Sequence, residues 1–477
     1  MPHVVTQSCV GDGSCVYACP VNCIQPTPDD PSFELAEMLH IDPTTCVDCG
    51  ACVSACPVDA IKPHARLAPE ELAFEAINAA FHREAPPRPL LAPVRPRLLV
   101  RDRGEDLRVA IVGSGPAALY AAEEVLTIPG ALVSVYERQD RPYGLVHAGV
   151  APDHRRTRRV SRQLDRIRAH PRLTMHLGVE IGRDLTHDRL LERHHAVIYA
   201  VGAASDRRLE IPGADLPGVL PATDMVAWYN GVLGADSTPV DLSHRRVVIV
   251  GNGNVALDIA RILMMDPDAL AGSDIAPRAL EVLRASRVEE VVVAGRRGPE
   301  HAAFTLPELV GLTSTPGVSV RVVPEELAGA PAGPKVDLLR GLGSADGGMG
   351  RRITLRFGLT PQRVLGTERV TGIAFARTDA PGGEDLEAGM VVTAIGYRGD
   401  PVPALPFDAA RGIVPNEDGR VVDPGTGAPL PGTYVAGWAK RGPSGFIGTN
   451  KGCSQDTVAA LVDDHNAGLL RPVTSRR

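Results

Sequence analysis

The sequence contains no run of about 18 consecutive apolar residues, so membrane insertion through a helix is not expected. Its start, Met1-Pro2-His3-Val4, lacks a basic stretch followed by an apolar core, so no secretory signal is expected and a cytoplasmic location is. Aromatic residues are scarce, at 4%. Basic residues are almost missing from positions 1–62, where eight acidic side chains face the single Lys62. The reverse holds over 138–172, with ten arginines against three aspartates. That basic stretch has a single aromatic, Tyr143, and no recognition motif, which disfavours nucleic acid as the partner. Opposed acidic and basic segments are instead the pattern that steers docking between protein surfaces. Cysteine is nearly absent after residue 56, where Cys453 stands alone, yet eight cysteines crowd the stretch before it.

A chain of 477 residues is too long for one ordinary core and predicts two or three domains. The clustered cysteines have metal-ligand spacing and no secretory signal, which favours ligands in a reducing compartment over disulfides. Cys46, Cys49, Cys52, Cys56 and Pro57 read C-x2-C-x2-C-x3-C-P, the bacterial two-cluster pattern in which the fourth cysteine ligates the other cluster. Cys9, Cys15, Cys19 and Pro20 repeat its ending. Four-cysteine zinc sites share the x2 spacing, but two interleaved C-x3-C-P endings favour iron–sulfur clusters. Cys46, Cys49, Cys52 and Cys19 are thus expected to hold one [4Fe–4S] cluster, and Cys9, Cys15 and Cys56 the other.

The second set is one cysteine short, and Asp12 occupies the missing position. Three readings stay open: a [3Fe–4S] cluster, a second [4Fe–4S] cluster completed weakly by Asp12 or water, or Asp12 as a turn residue in Gly11-Asp12-Gly13. Cys23 duplicates no required ligand and is expected to be unligated. A helix is expected within 64–85, and Pro86, Pro87, Pro89, Pro93 and Pro96 form a semi-rigid connector after it. The segments near 266–278 and 340–350 are expected to be surface excursions, and the last eight residues or so a frayed tail.

From Leu107 onward the pattern is α/β. A strand over Leu107–Val112 leads into Gly113-Ser114-Gly115-Pro116-Ala117-Ala118, where a helix opens. Gly113 permits the tight turn, Gly115 admits pyrophosphate, and Ala118 lets helix and strand pack closely. The next strand, Leu132–Tyr136, ends at Glu137, suited to both hydroxyls of an adenosine ribose. A second copy runs from Val247–Val250 into Gly251-Asn252-Gly253-Asn254-Val255-Ala256, with Asp258 further along the helix. Its following strand, Glu290–Ala294, ends in Gly295-Arg296-Arg297. Glutamate repels a ribose 2′-phosphate, whereas paired arginines bind one through charge-assisted bonds. The first site is therefore expected to take FAD and the second NADP. A flavin converts a two-electron hydride into the single electrons that clusters accept. No C-x2-C or C-x4-C follows the first fingerprint, which disfavours a disulfide reductase, and Cys453 is read as structural.

With these motifs the chain resembles adrenodoxin reductase-type ferredoxin–NADP reductases, fused to an N-terminal bacterial ferredoxin. The resemblance covers residues 105–470. It is carried by Val109–Ala117, Pro142–Val146, Gly149–His154, Gly251–Asp258, Arg296–Pro299, Gly437–Pro443 and Gly445–Asn450. It implies a multidomain fold: an α+β ferredoxin-type domain, then an α/β flavoprotein reductase with two dinucleotide-binding domains. The boundaries expected are 1–62 for the ferredoxin domain and 63–105 for the helix and proline-rich linker. The FAD-binding domain is expected at 106–208 plus 396–477, with an inserted NADP-binding domain at 209–395.

By the same resemblance, Gly437, Trp438, Gly445, Phe446 and Ile447 line the flavin and nicotinamide pocket. Gly144, Leu145 and Val146 lie at the flavin, and Asn254 and Val255 at the NADP pyrophosphate. His154 and Glu308 lie near the nicotinamide, with Trp438 as a stacking or gating residue. A carboxylate that some relatives carry three residues beyond Glu308 is Gly311 here, which removes that partner for His154. The implied activity is NADPH:ferredoxin oxidoreductase, with NADPH or NADP+ as one partner. An acidic ferredoxin, fused or separate, is the other, on the Arg155–Arg168 face. The alternatives are an electron-input subunit of a glutamate synthase-like complex and a non-enzymatic redox sensor.

Overall fold

The computed structural model describes residues 2–473 except 85–88, 90, 92, 96, 103, 233–239, 343–350 and 379–380. Pro86, Pro87 and Pro96 of the connector, part of the 340–350 segment and the end of the tail lie outside the described residues. The chain divides into two compact units. The first comprises Met1–His147, Arg156–Ser205 and Tyr397–Arg477, and the second Ala148–Arg155 and Asp206–Gly396.

The first unit opens with two short hairpin-like pairings. His3–Val5 runs antiparallel to Ile61–Pro63, and Ile24–Gln25 antiparallel to His40–Ile41. Between them lie two matched five-residue helices, Ser14–Ala18 and Ala51–Ala55. Each starts from a glycine in the left-handed region, Gly13 (φ 70°) and Gly50 (φ 73°), which β-carbon-bearing residues adopt at a cost. Each ends at an extended cysteine, Cys19 or Cys56. This is the internal repeat of the cysteine spacing drawn in backbone. The helix expected within 64–85 is Ala73–Glu84, preceded by two short 3-10 turns at His64–Arg66 and Pro69–Glu71.

The rest of the first unit is a seven-stranded sheet. Its order is Asn416–Glu417, Arg420–Val422, Pro429–Val435, Ala196–Tyr199, Arg108–Val112, Leu132–Glu137 and Leu173–Leu177. The last five strands are parallel. Such strands are covered on both faces, and Val109, Ala110 and Ile111 are accordingly fully buried. The long helix Thr449–Ala467 packs on the helix Pro116–Leu126, and both contribute to one apolar core.

The second unit is built on a six-stranded parallel sheet. Its order is Val219–Pro221, Met390–Thr393, Arg246–Val250, Glu290–Ala294, Arg352–Arg356 and Ser319–Val322. A three-stranded antiparallel sheet, Leu359–Gly366, Val370–Arg377 and Gly383–Glu387, belongs to the same unit. The 266–278 segment is mostly exposed, as expected of a surface excursion, but is not without structure. It contains the helix Pro267–Leu270 and anchors Leu270 and Ile275 in the core. No helix among the described residues is long and apolar enough to cross a membrane.

Candidate functional site

The cysteines divide by burial. Cys15, Cys19, Cys23 and Cys52 are buried, Cys9, Cys46 and Cys56 half-buried, and Cys49 exposed. Burial pushes the thiols of Cys9 and Cys52 up to about 12, and that of Cys15 well above the ordinary range. The acidic neighbours Asp12 and the other cysteines add to the shift. Thiolates so placed need a positive centre to compensate them, which fits soft, cationic iron. Backbone donors are already aimed at two sulfurs: Cys23 N–H at Cys19 Sγ (3.4 Å) and Ala60 N–H at Cys56 Sγ (3.3 Å).

Cys23 lies 3.4 Å from Cys19, sulfur to sulfur. A hydrogen bond from the Cys23 thiol, helped by backbone N–H groups, lowers Cys19 to about 5, while Cys23 itself is raised. The Asp12 carboxylate is buried and accepts from Ser14 Oγ and, at 3.4 Å, from Lys451 Nζ. Lys451 was not singled out by any sequence motif. It belongs to the helix Thr449–Ala467, so its partnership with residue 12 exists only in the folded chain.

The first fingerprint forms a crevice at the carboxyl ends of the parallel strands. Gly113 has φ 104°, and a β-carbon there would stand 2.5 Å from the Ala200 carbonyl oxygen. Gly115 precedes the helix Pro116–Leu126, whose proline takes the first position, where no N–H is required. Ala118 is fully buried, as close helix–strand packing requires. Glu137 closes the crevice: Oε2 accepts from Ser114 Oγ at 2.6 Å and Oε1 from Gln139 N–H at 2.9 Å. A cavity of about 140 Å³ here is lined by Gly113, Glu137, Arg138, Val179 and Gly202 among others.

The Tyr143–Val146 turn packs beside it. Tyr143 N–H donates to the Ser114 carbonyl, Gly144 approaches Gly115, Val146 is buried and Leu145 is 39% exposed. Gly437 approaches the same helix start, since a β-carbon would lie 2.6 Å from that of Ala117. Its N–H points at Cys453 Sγ (3.3 Å), which gives that buried thiol a structural place. Trp438 donates its indole N–H to the Ser444 carbonyl (3.0 Å) and leans on Tyr397, ring centroids 5.4 Å apart. Thr449 and Asn450 hold the loop of Gly445, Phe446 and Ile447. Phe446 N–H bonds Thr449 Oγ1 at 2.9 Å, and the Asn450 amide donates to the carbonyls of Phe446 and Ile447, both at 3.1 Å.

In the second unit Gly251 has φ 111°, and a β-carbon would collide with the Ala394 carbonyl. Gly253 precedes the helix Asn254–Met264, in which Val255 packs against the core. Arg296 and Arg297 follow Gly295 and are exposed. The Asn254 side-chain oxygen receives Thr305 N–H (2.8 Å) and that of Asn252 receives Ala303 N–H (3.4 Å), so both asparagines pin the 303–305 segment. Thr305 then caps the helix Leu306–Thr313, its oxygen accepting from Glu308 N–H at 3.3 Å. Glu308 thereby faces His154: its Oε2 lies 3.8 Å from His154 Nε2, and Asp258 Oδ1 lies 3.9 Å from the same nitrogen. The carboxylate partners of His154 are thus Asp258 and Glu308, although Gly311 offers none.

Sequence reasoning missed what holds this trio. Arg261 is buried and donates to Asp153 through Nε (2.7 Å) and a terminal nitrogen (3.1 Å), and to Asp258 (2.7 Å). Burial works to raise the Asp153 carboxyl, but Arg261 outweighs it and holds the group below the usual carboxylate range. The only sequence signal was an arginine three residues beyond Asp258, on one helix face.

The basic stretch is engaged within the first unit. Arg156 meets Glu71 at 2.6 Å and Arg159 pairs with Asp59, joining the arginines to the acidic N-terminal region of the same chain.

Comparison with known proteins agrees with both halves of the layout. Residues 8–60 match the family described as 4Fe-4S dicluster domain, and residues 107–288 that described as pyridine nucleotide-disulphide oxidoreductase. A probable ferredoxin/ferredoxin–NADP reductase of Mycobacterium bovis is 56% identical over 98% of this chain and 85% of its own length. The mitochondrial NADPH:adrenodoxin oxidoreductase of Homo sapiens is 40% identical over 76% of this chain and 80% of its own. Among solved structures, Mycobacterium tuberculosis FprA in complex with NADPH superposes with a TM-score of 0.71. It is 41% identical over 77% of this chain and 87% of that one.

Proposed function

The chain belongs to the family of ferredoxin–NADP reductases that carry their own ferredoxin domain, and from that premise we propose how its residues divide the work. The enzyme is an NADPH:ferredoxin oxidoreductase, transferring electrons between NADPH, FAD and the attached iron–sulfur module. When bound, the nicotinamide supplies a hydride, the flavin separates it into single electrons, and the clusters carry those one at a time.

Residues 106–208 with 396–477 are assigned to FAD, and the inserted residues 209–395 to NADP. Gly113, Gly115, Pro116 and Ala118 admit the FAD pyrophosphate, and Glu137 accepts from the adenosine ribose. Gly144, Leu145, Val146, Gly437, Trp438 and Gly445–Ile447 enclose the ring system and keep water from it. Gly251, Gly253, Asn254 and Val255 admit the second pyrophosphate, while Arg296 and Arg297 bind the ribose 2′-phosphate in charge-assisted bonds. His154, with Nε2 3.8 Å from Glu308 and 3.9 Å from Asp258, is assigned to arranging the nicotinamide, since hydride transfer itself needs no proton from it. With Cys453 the only cysteine beyond residue 56, no dithiol pair takes part.

Cys19, Cys46, Cys49 and Cys52 are assigned to a [4Fe–4S] cluster. Cys9, Cys15 and Cys56 are assigned to a [3Fe–4S] cluster, a reading supported by the missing fourth cysteine and by the engagement of Asp12 with Ser14 and Lys451. Arg159 meets the chain's own acidic domain at Asp59, and Arg156 meets Glu71 of the segment that follows it.

The observation that carries this reading is the pairing of two dinucleotide crevices that end in opposite charge, Glu137 in one and Arg296-Arg297 in the other. Steady-state oxidation of NADPH with cytochrome c as one-electron acceptor tests it. Two cytochromes reduced per NADPH, and much weaker use of NADH, are expected. Absence of NADPH oxidation by flavin-loaded protein would refute it. An oxidised-state paramagnetic signal of a three-iron cluster is expected before any reductant is added.

A further inference from the structure

The two cysteine sets do not meet the flavin-side unit equally. Val10, which follows Cys9, accepts the N–H of Gly448 at 2.7 Å. Gly448 adopts ordinary helical angles (φ −71°, ψ −30°), so no backbone constraint demands glycine there. Space does: a β-carbon would run into the backbone of Val10, Gly11 and Asp12. Lys451, one turn on, reaches Ser14 Oγ (2.8 Å) and Asp12 (3.4 Å). Val10, Val58 and Ala60 share one buried core with Ala117 of the first fingerprint, and Cys9, Cys56 and Ile447 pack against that core. The other set reaches solvent at one corner, where Cys49 is exposed and Val47 near it is 58% exposed, while Cys19 and Cys52 are buried.

Resting on the reading above, we propose that the Gly448–Val10 junction is the electron-transfer contact of the fused protein. The Cys9/Cys15/Cys56 site exchanges electrons with the flavin side, and the Cys19/Cys46/Cys49/Cys52 site exchanges them with the outside acceptor. NADPH gives up two electrons and leaves as NADP+, with one proton released to water. The two electrons cross Gly448–Val10 singly, and each reduces one equivalent of a one-electron acceptor. The glycine keeps the two backbones in direct contact, and Lys451 fixes the approach by neutralising Asp12. Transfer between redox groups falls steeply with separation, so a small displacement here is felt in rate.

The test runs the reaction backwards on full-length, cluster-loaded protein. Protein reduced with dithionite and freed of excess reagent is mixed anaerobically with NADP+. NADPH absorbance and freeze-quenched paramagnetic spectra are followed together. A first equivalent of NADPH draws on the flavin alone, and a second needs one electron back from each cluster. Gly448→Val is expected to leave the first equivalent unchanged and to slow the second, with loss of the cluster signals, by about tenfold or more. Lys451→Glu, which sets two carboxylates against each other, carries the same expectation if Gly448→Val fails to load its clusters.

Cys52→Ser, checked for retention of the three-cysteine signal, is expected to reoxidise that remaining cluster at the wild-type rate. Cys15→Ser is expected to strand electrons on the four-cysteine cluster. Failure of the first NADPH equivalent in wild-type protein would refute the reductase reading itself. A normal second equivalent in the loaded Gly448→Val and Lys451→Glu proteins would overturn the proposed contact. So would arrested reoxidation in Cys52→Ser.

Discussion

Arg261 is the residue on which the histidine site depends. It sits buried between two carboxylates, so its removal leaves Asp153 and Asp258 desolvated and unpaired. Breaking a buried pair of this kind costs about 3–5 kcal/mol. Arg261→Met is therefore expected to lower the unfolding free energy of the second unit by that order, read from denaturant titration, and to displace His154. Unchanged unfolding would show that the carboxylates find other partners. At Arg296 and Arg297 the expected effect is on binding alone. Each charge-assisted bond is worth about 1.5–3 kcal/mol, so alanine at either should raise the KM for NADPH at least about tenfold. The KM for NADH should barely move, and an equal rise for both nucleotides would remove the 2′-phosphate from the account.

Among whole elements, the strand–glycine–helix units were legible in sequence because their chemistry is local. Gly113 and Gly251 sit where only glycine fits, and apolar runs mark the strands before them. Gly113→Ala is expected to yield protein without flavin colour, and Gly251→Ala yellow protein that no longer binds NADP+, measured by absorbance and calorimetry. The partners of His154 were not legible. Asn252 and Asn254 reach 51 residues along the chain to hold the segment before Glu308, and no spacing rule reports such a bond. In the 266–278 segment the Pro, Gly and Asp content reads correctly as surface, but the two anchors Leu270 and Ile275 were not legible because tertiary packing buries them.

Glu290, at the start of its strand, shows an ion-pair network invisible in the apolar pattern. Burial works to raise its carboxyl, but Arg352, Thr354 and Arg246 prevail and lower it from the usual 4.5 to about 2. Its stabilising contribution is therefore full above the usual value and is lost as pH falls from there towards the lowered one. Glu290→Gln should flatten the stability of the second unit across that window. An unaltered acid limb would assign the loss to other carboxylates.

At the scale of the molecule, the opposed charge of residues 1–62 and 138–172 was legible as a docking pattern, but not whether a fused or a separate acidic partner uses it. The basic stretch that could have received a separate ferredoxin is engaged by the chain's own Glu71 and Asp59. The pairs are partly exposed, so they orient the attached domain more than they stabilise it. Charge reversal at Arg156 and Arg159 together is expected to slow flavin-to-cluster transfer and to weaken its dependence on salt. An unchanged rate and salt profile would show that these two ion pairs do not set the docking.

Electrons are expected to pass from nucleotide through flavin to the attached clusters, and stepwise anaerobic addition of NADPH, with absorbance and electron paramagnetic resonance read at each step, checks this. Flavin bleaching is expected first, followed by loss of the oxidised three-iron signal as further equivalents are added. Bleached flavin beside cluster signals that stay unchanged under excess NADPH would contradict it.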